Sequence, residues 1–226
     1  NKDKFFSIIS HDLRSPLSGI MSLLDILVSD YDTMDEVERK EIFFEAAKTS
    51  KSTYILMENL LEWSRVQSGQ ISYEPQNISL SVILNTVKNL YYQKLKEKGI
   101  SLNFDFNPEY FVFADSNMTE TILRNLISNA IKFTNEFGVI LISFNFSGND
   151  VLIQIKDTGV GMDEKQISKL FRLDETHSTV GTSGERGTGL GLLLCKELIE
   201  KQNGKMWIES VLNEGTSIYF TLPKAK

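Results

Sequence analysis

The 226-residue chain holds a single cysteine, Cys195, and only two histidines, His11 and His177. One thiol excludes an intrachain disulfide and any four-thiolate zinc site, and two imidazoles exclude a His-rich metal centre. A basic surplus is missing too. Lys and Arg number 24 against 30 Asp and Glu, a net charge of -6, with no basic stripe, so nucleic acid is not an expected partner. No run of 18 apolar residues occurs, so no membrane contact by this stretch is expected. No signal peptide is visible: charge comes early, at Lys2, Asp3 and Lys4, and no small-residue cleavage site follows. The opening at Asn1, inside a helix-like pattern, reads as a cytoplasmic fragment of a longer protein, with membrane attachment of the full chain left open.

What is present describes a globular chain. Hydrophobic residues make up 41% and charged residues 24%, and the length allows one large domain or two modest ones. Residues 3–29 carry apolar side chains at Phe6, Ile9, Leu13, Leu17, Ile20, Leu24 and Leu27, in steps of three and four that predict a helix. Its other stripe, through His11, Arg14 or Ser15, Ser18, Ser22, Asp25 and Ser29, is polar. Pro16 interrupts the pattern and removes one helical hydrogen bond. After a polar break at 30–35, residues 36–68 predict a second long helix, stopped by Ser68-Gly69. The two form an antiparallel hairpin with more apolar positions than a hairpin can cover. A homodimeric four-helix bundle is therefore expected.

Beyond residue 69 the rhythm changes. Strands are predicted over 71–73, 101–106, 112–114, 139–147, 151–157, 205–210 and 216–222, with a turn at Asn149-Asp150. Helices are predicted over 80–97, 117–134, 164–170 and 190–201. Adjacent strands without a helix between them argue for a mixed sheet with helices on one face, an α/β two-layer sandwich. The expected division is an all-α unit over 1–68 and an α/β unit over 69–226.

Three groups of residues carry chemistry. His11 stands on the polar stripe beside Asp12, with Ser15 one turn on. An imidazole held there on a rigid rod is a nucleophile that a neighbouring carboxylate can tune. In the second group, Asn125 and Asn129 are four apart on a predicted helix, with Lys132 and Phe133 following. Amide oxygens suit Mg²⁺ and lysine suits phosphate. Third, Asp157-Thr158-Gly159-Val160-Gly161 follows a strand, and Gly181, Gly184, Gly187, Gly189 and Gly191 cluster before a helix. A carboxylate at a strand end accepts from an adenine amino group, and a glycine-rich approach to a helix N-terminus offers N–H groups to phosphate. No Gly-Lys-Ser/Thr follows, so this is not a Walker A loop.

The string Phe5-Phe6-Ser7-Ile8-Ile9-Ser10-His11-Asp12-Leu13-Arg14-Ser15-Pro16-Leu17 resembles the H box of sensor histidine kinases of two-component systems. Asn125 to Asn129 is similar to their N box, and Asp157, Gly159 and Gly161 to their G1 box. Leu170-Phe171-Arg172 resembles the F box region, and Gly187-Thr188-Gly189-Leu190-Gly191-Leu192 the G2 box, within the wider GHKL ATPase group. The resemblance covers nearly the whole chain. It implies ATP-dependent phosphorylation of His11, with Asp12 as acid/base partner, followed by transfer to an aspartate of a response-regulator receiver domain. Ser15 takes the place of the residue that positions water for response-regulator dephosphorylation. By the same resemblance Asn129 ligates Mg²⁺ with Asn125 close by, Lys132 meets phosphate, and Phe133 packs on the nucleotide. Asp157 binds the adenine N6, Arg172 orients the γ-phosphate, and a lid runs over 174–186 with His177 facing solvent. Family members often carry Glu, Thr and Tyr where this chain has Asp12, Ser15 and Phe133. A GHKL ATPase with ATP-gated dimerisation needs no exposed histidine, and a docking module without catalysis needs no N box. Cys195, Trp63 and Trp207 are expected as packing residues.

Overall fold

The computed structural model describes residues 2–70, 72–106, 110–171, 180–184 and 189–225, and of residues 2–12 the backbone alone. Two long helices come first, α1 (Lys2–Asp30) and α2 (Glu36–Gln67), packed against each other. Pro16 lies inside α1. The loop between them ends where the sequence offers a capping box. Asp35 Oδ1 accepts from Glu38 N at 2.8 Å, and Glu38 Oε2 accepts from Asp35 N at 3.0 Å, so two otherwise orphaned donors at the start of α2 are satisfied.

The second unit comprises β1 (Gln76–Ser79), α3 (Leu80–Lys98), β2 (Ser101–Asp105), β3 (Phe111–Ala114), α4 (Ser116–Phe133), β4 (Val139–Ser147), β5 (Asp150–Asp157), α5 (Glu164–Lys169), α6 (Gly191–Lys201), β6 (Met206–Val211) and β7 (Gly215–Pro223). Five strands form a sheet in the order β2-β4-β5-β7-β6, with β2 parallel to β4 and every other pair antiparallel. The mixed sheet is as expected; a separate two-stranded ribbon, β1 with β3, was not. Alternation sets which face is covered. Ile140, Ile142 and Phe144 of β4, Val151, Ile153 and Ile155 of β5, and Ile218, Phe220 and Leu222 of β7 are buried beneath Ile122, Leu126 and Ile127 of α4 and Leu194, Leu198 and Ile199 of α6. Each such side chain contributes roughly 1.5–3 kcal/mol.

Two sequence-based expectations need correction. The strand placed at 71–73 is not one: Ser72 and Tyr73 have no strand pairing, residue 71 lies outside the described residues, and β1 begins only at Gln76. There Ile78 and Leu80 drop into the core. The β4–β5 turn sits one residue earlier than Asn149-Asp150, because Asp150 already pairs with Ser147 and Gly148 supplies the left-handed backbone, φ 63°. Cys195 and Trp63 are buried as expected, whereas Trp207 is half-exposed and stacks on Tyr219 with centroids 5.2 Å apart.

The two units touch. The C-terminal half of α2 packs on α6, and its Leu56 and Trp63 belong to the same apolar cluster as the core of the second unit.

Candidate nucleotide site and phospho-acceptor helix

α4 is placed by its N-cap. Asp115 Oδ1 accepts from Asn117 N at 3.0 Å and Met118 N at 3.1 Å, and Asp115 Oδ2 accepts from Glu74 N of the preceding linker at 3.1 Å. The apolar side of α4 is buried, which turns Asn125, Ser128, Asn129 and Lys132 toward a large cleft. Asn125 Nδ2 donates back to Thr121 O at 3.0 Å. Its Oδ1 would lie 3.1 Å from a Cβ at position 191, so glycine there lets the start of α6 approach the amide. The Lys132 ammonium sits 4.5 Å from the centre of the Phe133 ring.

Asp157 ends β5 and is 6% exposed. Its Oδ1 accepts from Gly159 N at 2.9 Å and Thr216 N at 3.3 Å. Burial pushes its carboxyl above the ordinary carboxylate range, and those two backbone donors pull the other way. Around it the backbone is too tight for side chains. A Cβ at Gly159 would meet Phe133 O at 2.3 Å, and at Gly161, φ 62°, it would meet Val211 O at 1.9 Å. Val160 N donates to Phe133 O at 3.1 Å and Asn213 N to Val160 O at 2.7 Å, so this loop is stitched to the end of α4 and to the β6–β7 turn.

Gly189, Leu190 and Gly191 lead into α6, whose first turn has no side-chain cap. Its leading N–H groups therefore lack an intrahelical acceptor, an arrangement that suits phosphate.

One cleft of about 1910 Å³ is bordered by Asn125, Asn129, Lys132, Phe133, Asp157, Gly161, Gly189, Leu190 and Gly191. Gly159 stands behind it, bonded to Asp157, and not on its wall. Across the cleft lie Ser15, Pro16 and Gly19 of α1. Ser15 is exposed. His11 and Asp12 lie within α1, but their side chains are outside the described residues, as are Arg172, Gly187, His177 and most of the predicted lid. Sequence reasoning missed Lys98, which reaches the end of α4 from below; its place in the run Lys94-Leu95-Lys96-Glu97-Lys98-Gly99 gives no sign of burial.

A buried carboxylate at a strand end, glycine cradles, paired amides and an uncapped helix start thus share one cavity with the serine-bearing turn of α1. Comparison with known proteins decides the family. Residues 1–69 match the His Kinase A (phospho-acceptor) domain, and residues 114–226 match the histidine kinase-, DNA gyrase B- and HSP90-like ATPase. The chain belongs to the histidine kinases. It is 31% identical over 229 residues to the sensor histidine kinase RcsC of Salmonella typhimurium, covering 99% of this chain and 23% of RcsC. It is 27% identical over 230 residues to the autoinducer 2 sensor kinase/phosphatase LuxQ of Vibrio vulnificus, covering 98% of this chain and 26% of that protein. The chain thus spans about a quarter of the length of these curated relatives. Its fold matches that of the histidine kinase ThkA in a crystal structure with the response regulator protein TrrA. The TM-score is 0.77 at 23% identity, over 97% of this chain and 61% of ThkA. Among the described residues, no helix of this histidine kinase is long and apolar enough to cross a membrane.

Proposed function

We propose that this chain phosphorylates itself on His11 from ATP and passes the phosphoryl group to an aspartate of a response-regulator receiver domain. The observation that carries the reading is the shared cleft: the turn of α1 holding Ser15, four residues beyond His11, borders the same cavity as Asn129, Asp157 and Gly191. The family supports ATP as the nucleotide, and the solved complex of ThkA with TrrA supports a receiver domain as acceptor. Asp157 takes the adenine amino group, the N–H groups at the start of α6 face the phosphates, and Lys132 adds positive charge. The residues fit a magnesium ion through the chemistry of the donor set. Asn129 and Asn125 both border the cavity and offer neutral amide oxygens. Magnesium held there would neutralise phosphate charge.

The chain's own residues do the rest by positioning and charge placement, as phosphoryl transfer requires. The unprotonated ring nitrogen of His11 bonds to the γ-phosphorus in line as the bond from that phosphorus to the β,γ-bridging oxygen breaks and ADP leaves, while Asp12 takes the proton from the other ring nitrogen. The Asn-bearing face of α4 holds the polyphosphate still. Arg172 is assigned to the γ-phosphate, and Gly187 to the glycine-rich approach to α6. The name of LuxQ, a kinase/phosphatase, supports a reverse role in which Ser15 holds a water against the phosphorylated receiver domain.

Homodimerisation is part of the same proposal. Leu17, Met21, Leu24 and Val28 recur at steps of four, three and four on α1 and are exposed in the single chain. That stripe is the seam a second hairpin would cover. We also infer a unit boundary between residues 68 and 69, which the end of α2 at Gln67 supports.

Incubation with γ-labelled ATP tests the reading. Acid-labile, base-stable label should form on the native protein and be absent from His11→Gln. Label that persists in the variant overturns the assignment of His11, and absence of nucleotide binding overturns the kinase reading.

A further inference from the structure

The last four carbonyls of a helix have no intrahelical donor and must find partners elsewhere. In α4 all four do, and the partners come from separated parts of the chain. Ala130 O accepts from Thr134 N at 3.0 Å. Ile131 O accepts from Lys98 Nζ at 2.8 Å. Lys132 O accepts from Thr182 N at 3.0 Å and from Lys98 Nζ at 3.4 Å. Phe133 O accepts from Val160 N at 3.1 Å. The end of α4 is therefore a junction. The loop behind Asp157 hangs from it through Val160, and the glycine-rich segment 180–184 hangs from it through Thr182.

Lys98 sits at the centre of this junction. It is 9% exposed, unusual for a lysine, and its charge faces the negative end of the α4 dipole. Its third acceptor is the Thr182 hydroxyl oxygen at 2.7 Å. That hydroxyl in turn donates a hydrogen bond to Thr134 O at 2.9 Å or to Lys132 O at 3.0 Å. An ammonium has three N–H donors, and three acceptors for it lie at this junction, although Lys98 also borders the cleft. Val180, Ser183 and Gly184 flank Thr182 and line the cleft directly.

We propose that Lys98 is a positioning residue for nucleotide binding: through Thr182 it fixes the 180–184 segment and the Lys132 carbonyl against the polyphosphate side of the cleft. The proposal rests on the kinase reading above. The adenine side hangs from Phe133 O through Val160 N, a bond to which Lys98 does not contribute.

The test uses the full chain and two readouts. One is amide hydrogen exchange at Thr182 without nucleotide; the other is equilibrium binding of ATP and of adenosine. In Lys98→Met, Thr182 exchange should accelerate and ATP affinity should fall, each about tenfold, the scale of losing a charge-assisted hydrogen bond. Adenosine affinity should stay within about twofold, because the Val160 N bond to Phe133 O and the two backbone bonds to Asp157 remain. Thr182→Val, on an exposed residue that leaves the α4 carbonyls paired with Lys98, should move ATP affinity the same way, and Thr182→Ser should restore it. The double variant should be no weaker than Lys98→Met. Equal losses for ATP and adenosine, additive losses in the double variant, or unchanged Thr182 exchange would each overturn the proposal. Failure of the native protein to bind ATP would count against the kinase reading instead. Thr182 exchange in the nucleotide-free protein then still decides the anchor.

Discussion

The helical hairpin and the ATPase-like unit solve the burial problem differently. In the α/β unit a five-stranded sheet and three helices enclose a core in which residues such as Ile142, Leu126 and Phe220 lose essentially all solvent contact. The hairpin encloses almost nothing by itself. Of its described apolar residues, Leu27 and Ala46 are buried, and Leu56 and Trp63 are buried with help from the other unit. Leu17 stays 50% exposed and Leu24 45%. One region buries its core within a single chain and borders a deep cleft; the other leaves open its apolar stripe. The cleft calls for a small ligand, and the stripe calls for another helical surface.

The largest expected effect follows from that asymmetry. Leu17→Glu with Leu24→Glu puts two charges into the stripe, where burial without partners costs several kcal/mol. Sedimentation should then show the dimer proposed for the native protein replaced by species of half the mass, while denaturant unfolding of the α/β unit is unchanged. If both proteins sediment alike, the stripe is not a dimer seam and the contrast fails on the hairpin side.

The α/β side is broken at its tightest backbone contact. Gly161 has φ 62° and no room, with a Cβ placed 1.9 Å from Val211 O. Gly189 has φ 71° and open space. Gly161→Ala should cost roughly 3 kcal/mol or more in unfolding free energy, because strain and a backbone collision add. Gly189→Ala should cost about 1–2 kcal/mol, the left-handed penalty alone. Equal losses would mean that the loop behind Asp157 yields where the structure has it clamped.

Much of this architecture was legible from pattern, because both periods were clean. The three-and-four spacing marked α1 and α2, and alternation in Val139–Ser147 and Asp150–Asp157 marked two central strands within a residue. What misled was local. Residues 71–73 have β-type side chains, but the register of the ribbon is set by Ile78 facing Val112, a partner 34 positions away. Asn125, Asn129 and Asp157, where chemistry and spacing coincide in the sequence, all border the one cleft. Gly159, one of the glycines similar to the G1 box, is a backbone donor to Asp157 and does not border the cavity. Lys98 was invisible because a lysine between Glu97 and Gly99 reads as a solvated helix end; only the fold brings the end of α4 and Thr182 to it.

The smallest effect sharpens the seam between the two regions. Glu62 of α2 faces α4, accepting from Thr121 Oγ1 at 3.4 Å. Burial raises its pKa above the usual value, while the Thr121 hydrogen bond and the charge of Arg124 oppose the shift. Nearby on α6, Glu197 is raised for the same main reason, burial, with Glu200 adding to it. An acid whose folded pKa is raised binds its proton more tightly in the folded state. Its stabilising contribution is full below the ordinary carboxylate pKa and is lost as pH rises through the folded value. Neutral pH therefore weakens the packing of α2 on the α/β unit relative to mildly acidic pH. Glu62→Gln keeps the shape and removes the charge, so at neutral pH its Tm should rise by roughly 1–2 °C, a small shift because the group is only partly buried. The gain should vanish on acidification, when the native carboxyl is protonated as well. A variant that tracks the native protein at every pH would mean that water screens Glu62, and that the hairpin rests on the α/β unit through apolar contacts such as those of Leu56, Leu60, Trp63 and Val66.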